Sequence, residues 1–131
     1  MIGTLQSVVL DCPDVLELAR FYQGLLGGTV NRPDPRWAVD DGFATLHTGD
    51  GPVFAFQRVP DHRAPRWPDG EYPQQFHLDL DVADIERARE QVLGLGAVLL
   101  RVDPAGWSVF VDPAGHPFRL LGRPGSLCSG A

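Results

Sequence analysis

The segment PQQFHLDLDV, residues 73–82, sets one imidazole and two carboxylates, His77, Asp79 and Asp81, at every second position among Phe76, Leu78, Leu80 and Val82. Alternation of this period belongs to a strand buried on one face, so the three polar side chains share the other face. A histidine of ordinary pKa, about 6.5, donates, accepts or ligates a metal near neutral pH. Three roles therefore stand open for His77: a hydrogen-bonded polar residue, a ligand-contacting or acid/base group, and a metal ligand. The other histidines lack partner spacing: His47 ends a strand-like stretch, His62 lies in a proline-rich segment, and His116 belongs to the turn DPAGHPF.

The remaining chemistry is bounded by what the residue types exclude. All 11 basic residues are arginine, which removes a Schiff-base lysine and a P-loop lysine. Neither a Gly-x-Ser-x-Gly elbow nor a Gly-x-Gly-x-x-Gly turn is present. Cys12 and Cys128 stand in no Cys-x-x-Cys spacing, so neither a disulfide framework nor a zinc ribbon is suggested, and Cys12 reads as a small buried residue at a strand end. A net charge of −6 with no basic block disfavours nucleic acid as a partner. No run approaches the roughly 18 apolar residues of a membrane span, and the first residues lack a basic n-region, so no membrane partner and a cytoplasmic location are expected.

The elements that position these residues are read from an internal repeat. LDCPDVLELARFYQGLLGG from Leu10 superposes on LDVADIERAREQVLGLGA from Leu80 at an offset of about 70, with Asp14 on Asp84, Val15 on Ile85 and Gly24 on Gly94. Each copy is a strand followed by a helix. In the first helix Val15, Leu18, Ala19, Tyr22, Leu25 and Leu26 fall at helical spacing, with Asp14 as cap and Gly27 and Gly28 as the stop. In the second, Ile85, Ala88, Val92 and Leu95 repeat the pattern between Asp84 and Gly96.

Three strand-like stretches follow each helix: 29–31, 43–47 and 53–59, then 97–102, 107–111 and 117–121. The fold class is thus α+β: two βαβββ modules forming a curved mixed sheet with a concave cleft and helices on the convex side. The boundaries are 1–59 and 74–122 in a single domain, with a proline-rich connector at 60–73 and a flexible tail at 123–131. The connector reads either as a plain linker or as a lid carrying Trp67 and Tyr72.

Three motifs, LDCPDVLELARFYQGLLG, QFHLDLDVAD and VFVDPAGHPFRLL, give the chain a resemblance to the vicinal oxygen chelate superfamily, which includes glyoxalase I, extradiol dioxygenases and the bleomycin and fosfomycin resistance proteins. Within it the chain looks most like bacterial glyoxalase-like domains. The resemblance implies metal-ligand positions on the first and last strand of each module. They fall on Ser7, on Ala55 or Gln57, on His77, and on Arg119 where the enzymes carry a glutamate. Strand parity turns the same positions away from the helices, because Val8, Leu10, Phe54, Phe56, Phe118 and Leu120 take the apolar face.

The expected site is therefore Ser7, Gln57, His77, Asp79 and Arg119, with Trp67 and Trp107 as aromatic surfaces. Trp37 and the other tryptophans also suit core or hairpin packing. Arg119 either balances Asp79 and Asp81 or binds an anionic or carbonyl group of a substrate. No cofactor is expected, since a divalent metal would have only His77, with Gln57 or Asp79, as ligands. The leading function is cleft binding of a small organic molecule, aromatic or anionic. The alternatives are a glyoxalase-type lyase or isomerase, metal-dependent or based on His77, and a non-catalytic interaction module. The resemblance also implies a homodimer.

Overall fold

The computed structural model describes residues 1, 5–66, 71 and 76–122. The chain divides into two compact units, Met1–His62 and Arg63–Ala131. The first contains β1 (Ser7–Cys12), α1 (Val15–Leu26), β2 (Thr29–Val30), β3 (Phe43–His47) and β4 (Val53–Arg58). The second contains β5 (Leu78–Val82), α2 (Ile85–Gly94), β6 (Val98–Val102), β7 (Ser108–Val111) and β8 (Pro117–Gly122). Both are βαβββ units, and no helix among the described residues is long and apolar enough to cross a membrane.

In the first unit the sheet runs β1-β4-β3-β2, with β1 parallel to β4 and the later strands joined as antiparallel hairpins. The Asp14 carboxylate accepts the Glu17 N–H at 3.1 Å, satisfying one of the donors that a helix start leaves unpaired. Helix α1 then buries Val15, Leu18, Ala19, Phe21 and Tyr22. Tyr22 stacks on Phe54 and Phe56 with centroids 6.3 and 5.8 Å apart, which fixes the apolar face of β4 against the helix. Gly28, at φ 99°, turns the chain out of α1 so close to the His47 carbonyl that a Cβ would collide with it.

The second unit repeats the order as β5-β8-β7-β6, with β5 parallel to β8. Asp84 caps α2 by accepting the Arg87 N–H at 3.1 Å. Phe110 and Phe118 stack 5.8 Å apart beside buried Leu120. Arg89 of α2 donates to the Ser108 hydroxyl at 2.5 Å and to the Gly106 carbonyl at 2.6 Å, anchoring the helix to the start of β7.

The unit departs from its sequence pattern in three places. Phe76, expected on the buried face, is 90% exposed, because β5 begins only at Leu78 and His77 precedes the ladder. Leu95 is exposed because α2 ends at Gly94 and leaves it as the cap, outside the helical stripe. All five residues of β6 are exposed, and its register with β7 shifts between Leu99 and Arg101, so Leu100 is the extra residue of a bulge on an edge strand.

Candidate functional site

Residue pairing across β5, β8 and β7 decides which side chains meet in the second unit. Asp79 lies opposite Arg119, and Arg119 opposite Val109, while Phe118 and Phe110 share the helix side. Arg119 therefore stands on the face turned away from α2. Its guanidinium forks onto the carboxylate, Nε to Oδ1 at 2.7 Å and Nη2 to Oδ2 at 2.6 Å. Two parallel charge-assisted bonds of this kind are strong and orient both groups. His77 adds its Nε2 at 3.2 Å from Asp79 Oδ1.

The Trp107 ring closes the group, with the guanidinium carbons of Arg119 and Arg101 at 5.3 and 5.5 Å from its centroid. The hydrogen bonds from Arg119 hold the Asp79 carboxyl below the usual carboxylate range, against a smaller desolvation effect, and Asp79 in turn raises Arg119. What results is a partly exposed, charge-balanced platform beside an indole. Asp81 pairs with Leu121 in the ladder, so the counter-charge role falls to Asp79.

In the first unit Ser7 is paired with Val53 and Gln57 with Asp11. Four residues along the ladder, about 13 Å, separate the two positions, with Val9 and Ala55 between them. Ala55 is fully buried and Gln57 is exposed. Trp67 and Tyr72 lie outside the described residues. His116 is held in its turn by Asp112, whose carboxylate meets the ring Nδ1 at 2.8 Å and accepts the N–H groups of Ala114 and His116. Cys12 is buried, its thiol donating to the Gln57 carbonyl at 3.7 Å.

A polar row that the spacing of histidines did not single out lies on β3. Ala44 and Leu46 pair with Phe56 and Phe54 on the α1 side, so Thr45 and His47 face the other way. Both are buried, at 1% and 5% exposure, and Thr45 Oγ1 and both His47 ring nitrogens have no hydrogen-bond partner among the described residues. Each such unpaired buried group costs about 1–3 kcal/mol. Trp37 packs edge-on against the imidazole, with centroids 5.6 Å apart. Arg36 covers Trp37 at 4.3 Å and forks onto Asp34, which is lowered to about 2 by that pairing. Desolvation and then the charge of Arg32 push the His47 pKa down, so the ring is neutral at pH 7. The signal was present in FATLH, where Thr45 and His47 alternate with two small or apolar residues.

The donor set does not fit a resident divalent cation. Such an ion needs about three imidazole or carboxylate ligands. Both oxygens of Asp79, the carboxylate beside His77, are engaged by a permanent cation that would repel a divalent ion. No group of three or more His, Cys, Asp or Glu is gathered for a metal among the described residues.

Comparison with known proteins agrees with the architecture. No curated protein sequence matches the chain significantly. Among solved structures, the chain is similar to the fosfomycin resistance protein FosX of Mesorhizobium loti, at 20% identity and TM-score 0.67 over 92% of this chain and 91% of that one. It is also similar to the trypanothione-dependent glyoxalase I of Leishmania major, at 19% identity and TM-score 0.66 over 98% and 92%. A glyoxalase/bleomycin resistance protein/dioxygenase family enzyme of Burkholderia phytofirmans matches at 18% identity and TM-score 0.64 over 92% and 98%. At these identities the likeness speaks for the fold. The model of the glyoxalase-like domain matches residues 7–121, and the chain belongs to that family, within the vicinal oxygen chelate superfamily.

Proposed function

We propose that the protein binds a small aromatic or carboxylate-bearing molecule on the open face of its second sheet, without a resident metal. The observation that carries this reading is the Asp79–Arg119 fork beside Trp107. A carboxylate arriving at this surface exchanges with Asp79 for the guanidinium, while a planar ring gains area against the indole. His77, on the edge of the pair, offers a further hydrogen bond that fixes orientation.

Titration of the purified protein with planar aromatic acids, followed by tryptophan fluorescence, tests the proposal. Saturable binding that weakens about tenfold in Arg119→Ala, and responds to Trp107→Phe, is expected. Binding indifferent to Arg119→Ala would remove that residue from the site. Stoichiometric Ni, Zn, Fe or Mn after purification without chelator, lost in His77→Ala, would overturn the metal-free reading.

The second reading is an enzyme in which His77 moves a proton. It is supported by the contact of His77 with Asp79, since a carboxylate that fixes an imidazole's tautomer prepares it as a base. Turnover abolished by His77→Ala but tolerant of Trp107→Phe would favour it. A homodimer, supported by the exposed apolar residues of β6, is part of the proposal and is checked by light scattering at micromolar concentration. A monomer there, with aromatic-acid binding intact, would leave the site without a need for the partner.

A further inference from the structure

The first unit holds a separate cavity of about 600 Å³ at the turn between β3 and β4, whose lining includes Gln6, Arg32, Arg36, His47 and Asp50. Three features set it apart from an ordinary surface hollow. His47 is 5% exposed, yet neither ring nitrogen has a partner among the described residues. Arg32 has no hydrogen-bond or ion-pair partner among them, whereas Arg36 is committed to Asp34. The cavity's chemistry is thus a free guanidinium beside an imidazole with one N–H and one lone pair to satisfy.

We propose that this cavity binds a small, singly charged anion that carries an O–H beside its charged oxygens. Arg32 pairs the charge, and the His47 ring nitrogen that faces the anion accepts from its O–H. Hydroxy-carboxylates and protonated phosphate groups share that chemistry. Asp50 on the same lining opposes a second negative charge, which favours a monoanion. The ring nitrogens are sealed in the structure, so binding includes a rotation about the soft χ2 of His47 that turns a nitrogen into the cavity. The Trp37 edge contact sets the other side of that motion.

The test uses the full chain, with glycolate, acetate and inorganic phosphate titrated at constant ionic strength and followed by the imidazole ¹⁵N resonances and by calorimetry. Glycolate is expected to shift the His47 resonances saturably, with acetate roughly tenfold weaker for want of the O–H. Arg32→Ala, at an exposed position, is expected to fold normally and to weaken glycolate by about tenfold or more. Because only the neutral ring that burial and the charge of Arg32 favour can accept from the O–H, the preference for glycolate over acetate should shrink as pH falls through the lowered His47 pKa. His47→Gln, which keeps a donor and an acceptor, should abolish that pH dependence.

Phosphate binding tighter than glycolate assigns the cavity to phosphate-bearing ligands, and the reverse assigns it to hydroxy-carboxylates. Equal affinity for acetate and glycolate, no change in Arg32→Ala, or no saturable shift up to about 100 mM would overturn the proposal. Arg119→Ala is expected to leave the shifts of the His47 resonances unchanged, so failure here is distinguishable from failure at the Trp107 platform.

Discussion

His47 and Asp79 are both titratable with lowered pKa values, one by burial and the other by a cationic partner, so both make the fold less stable as pH falls, in different pH ranges. The Asp79 pKa is lowered by Arg119, so the unfolded chain takes up its proton first as pH falls. The stabilisation is complete above the ordinary carboxylate pKa and is lost as pH falls through the lowered folded value. With Asp79 37% and Arg119 26% exposed, solvent screening limits it to about 1 kcal/mol. Asp79→Asn should therefore lower the Tm at pH 7 and by progressively less as pH falls below 3.8; a deficit that does not shrink with falling pH would exclude the pair as its source. His47 is lowered by burial, so the folded state resists its protonation. Stability is complete above pH 6.5 and falls with pH from there through the lowered folded pKa. Replacing both unpaired nitrogens by carbon relieves that cost, so His47→Phe should hold or raise the Tm, most at pH 6. A loss above about 2 kcal/mol would mean the ring is satisfied in solution.

At the scale of elements, the duplicated caps carry the most legible information. Asp14 and Asp84 were placed by their offset of 70, and each accepts the N–H three residues on at 3.1 Å. Asp14→Ala and Asp84→Ala should each cost about 1 kcal/mol in denaturant unfolding at unchanged m-value. A negligible cost at either position would mean that solvent satisfies that helix start equally well. Strand positions were legible for the same reason, since period-two alternation survives from sequence to ladder in β3, β4, β7 and β8. Burial was less legible. Alternation tells which way Phe76, Leu99 and Val102 point but carries no information on whether anything covers them, and all three are exposed. The Asp79–Arg119 pair was within reach because both sit on strands of known parity, 40 residues apart. The Arg32–His47 cavity was not, because residues 31–42 cross from β2 to β3 without regular structure and no periodicity states where such a segment lies.

For the whole molecule, the two units differ in what holds them. Helix α1 buries five side chains and α2 only Ala88 and Val92, and β6 buries none. Amide exchange should accordingly show α2 and β6 opening at lower free energy than α1, β3 and β4. Uniform protection across both units would contradict this ordering. Phe118→Ala, in the second unit's stacked pair, should cost about 3–5 kcal/mol and widen the gap. The bare edge of β6 also has a colloidal consequence. At neutral pH a net charge of −6 keeps molecules apart, and acidification titrates that repulsion away while the edge strand keeps its exposed apolar row. Light scattering should therefore rise in mildly acidic solution while circular dichroism is still native, and Leu100→Lys, a charge on the bulge, should suppress it. Scattering that follows loss of dichroism and ignores Leu100→Lys would assign precipitation to the unfolded chain. Otherwise the shelf life of a concentrated solution is governed by five residues at one sheet margin rather than by the melting of the core.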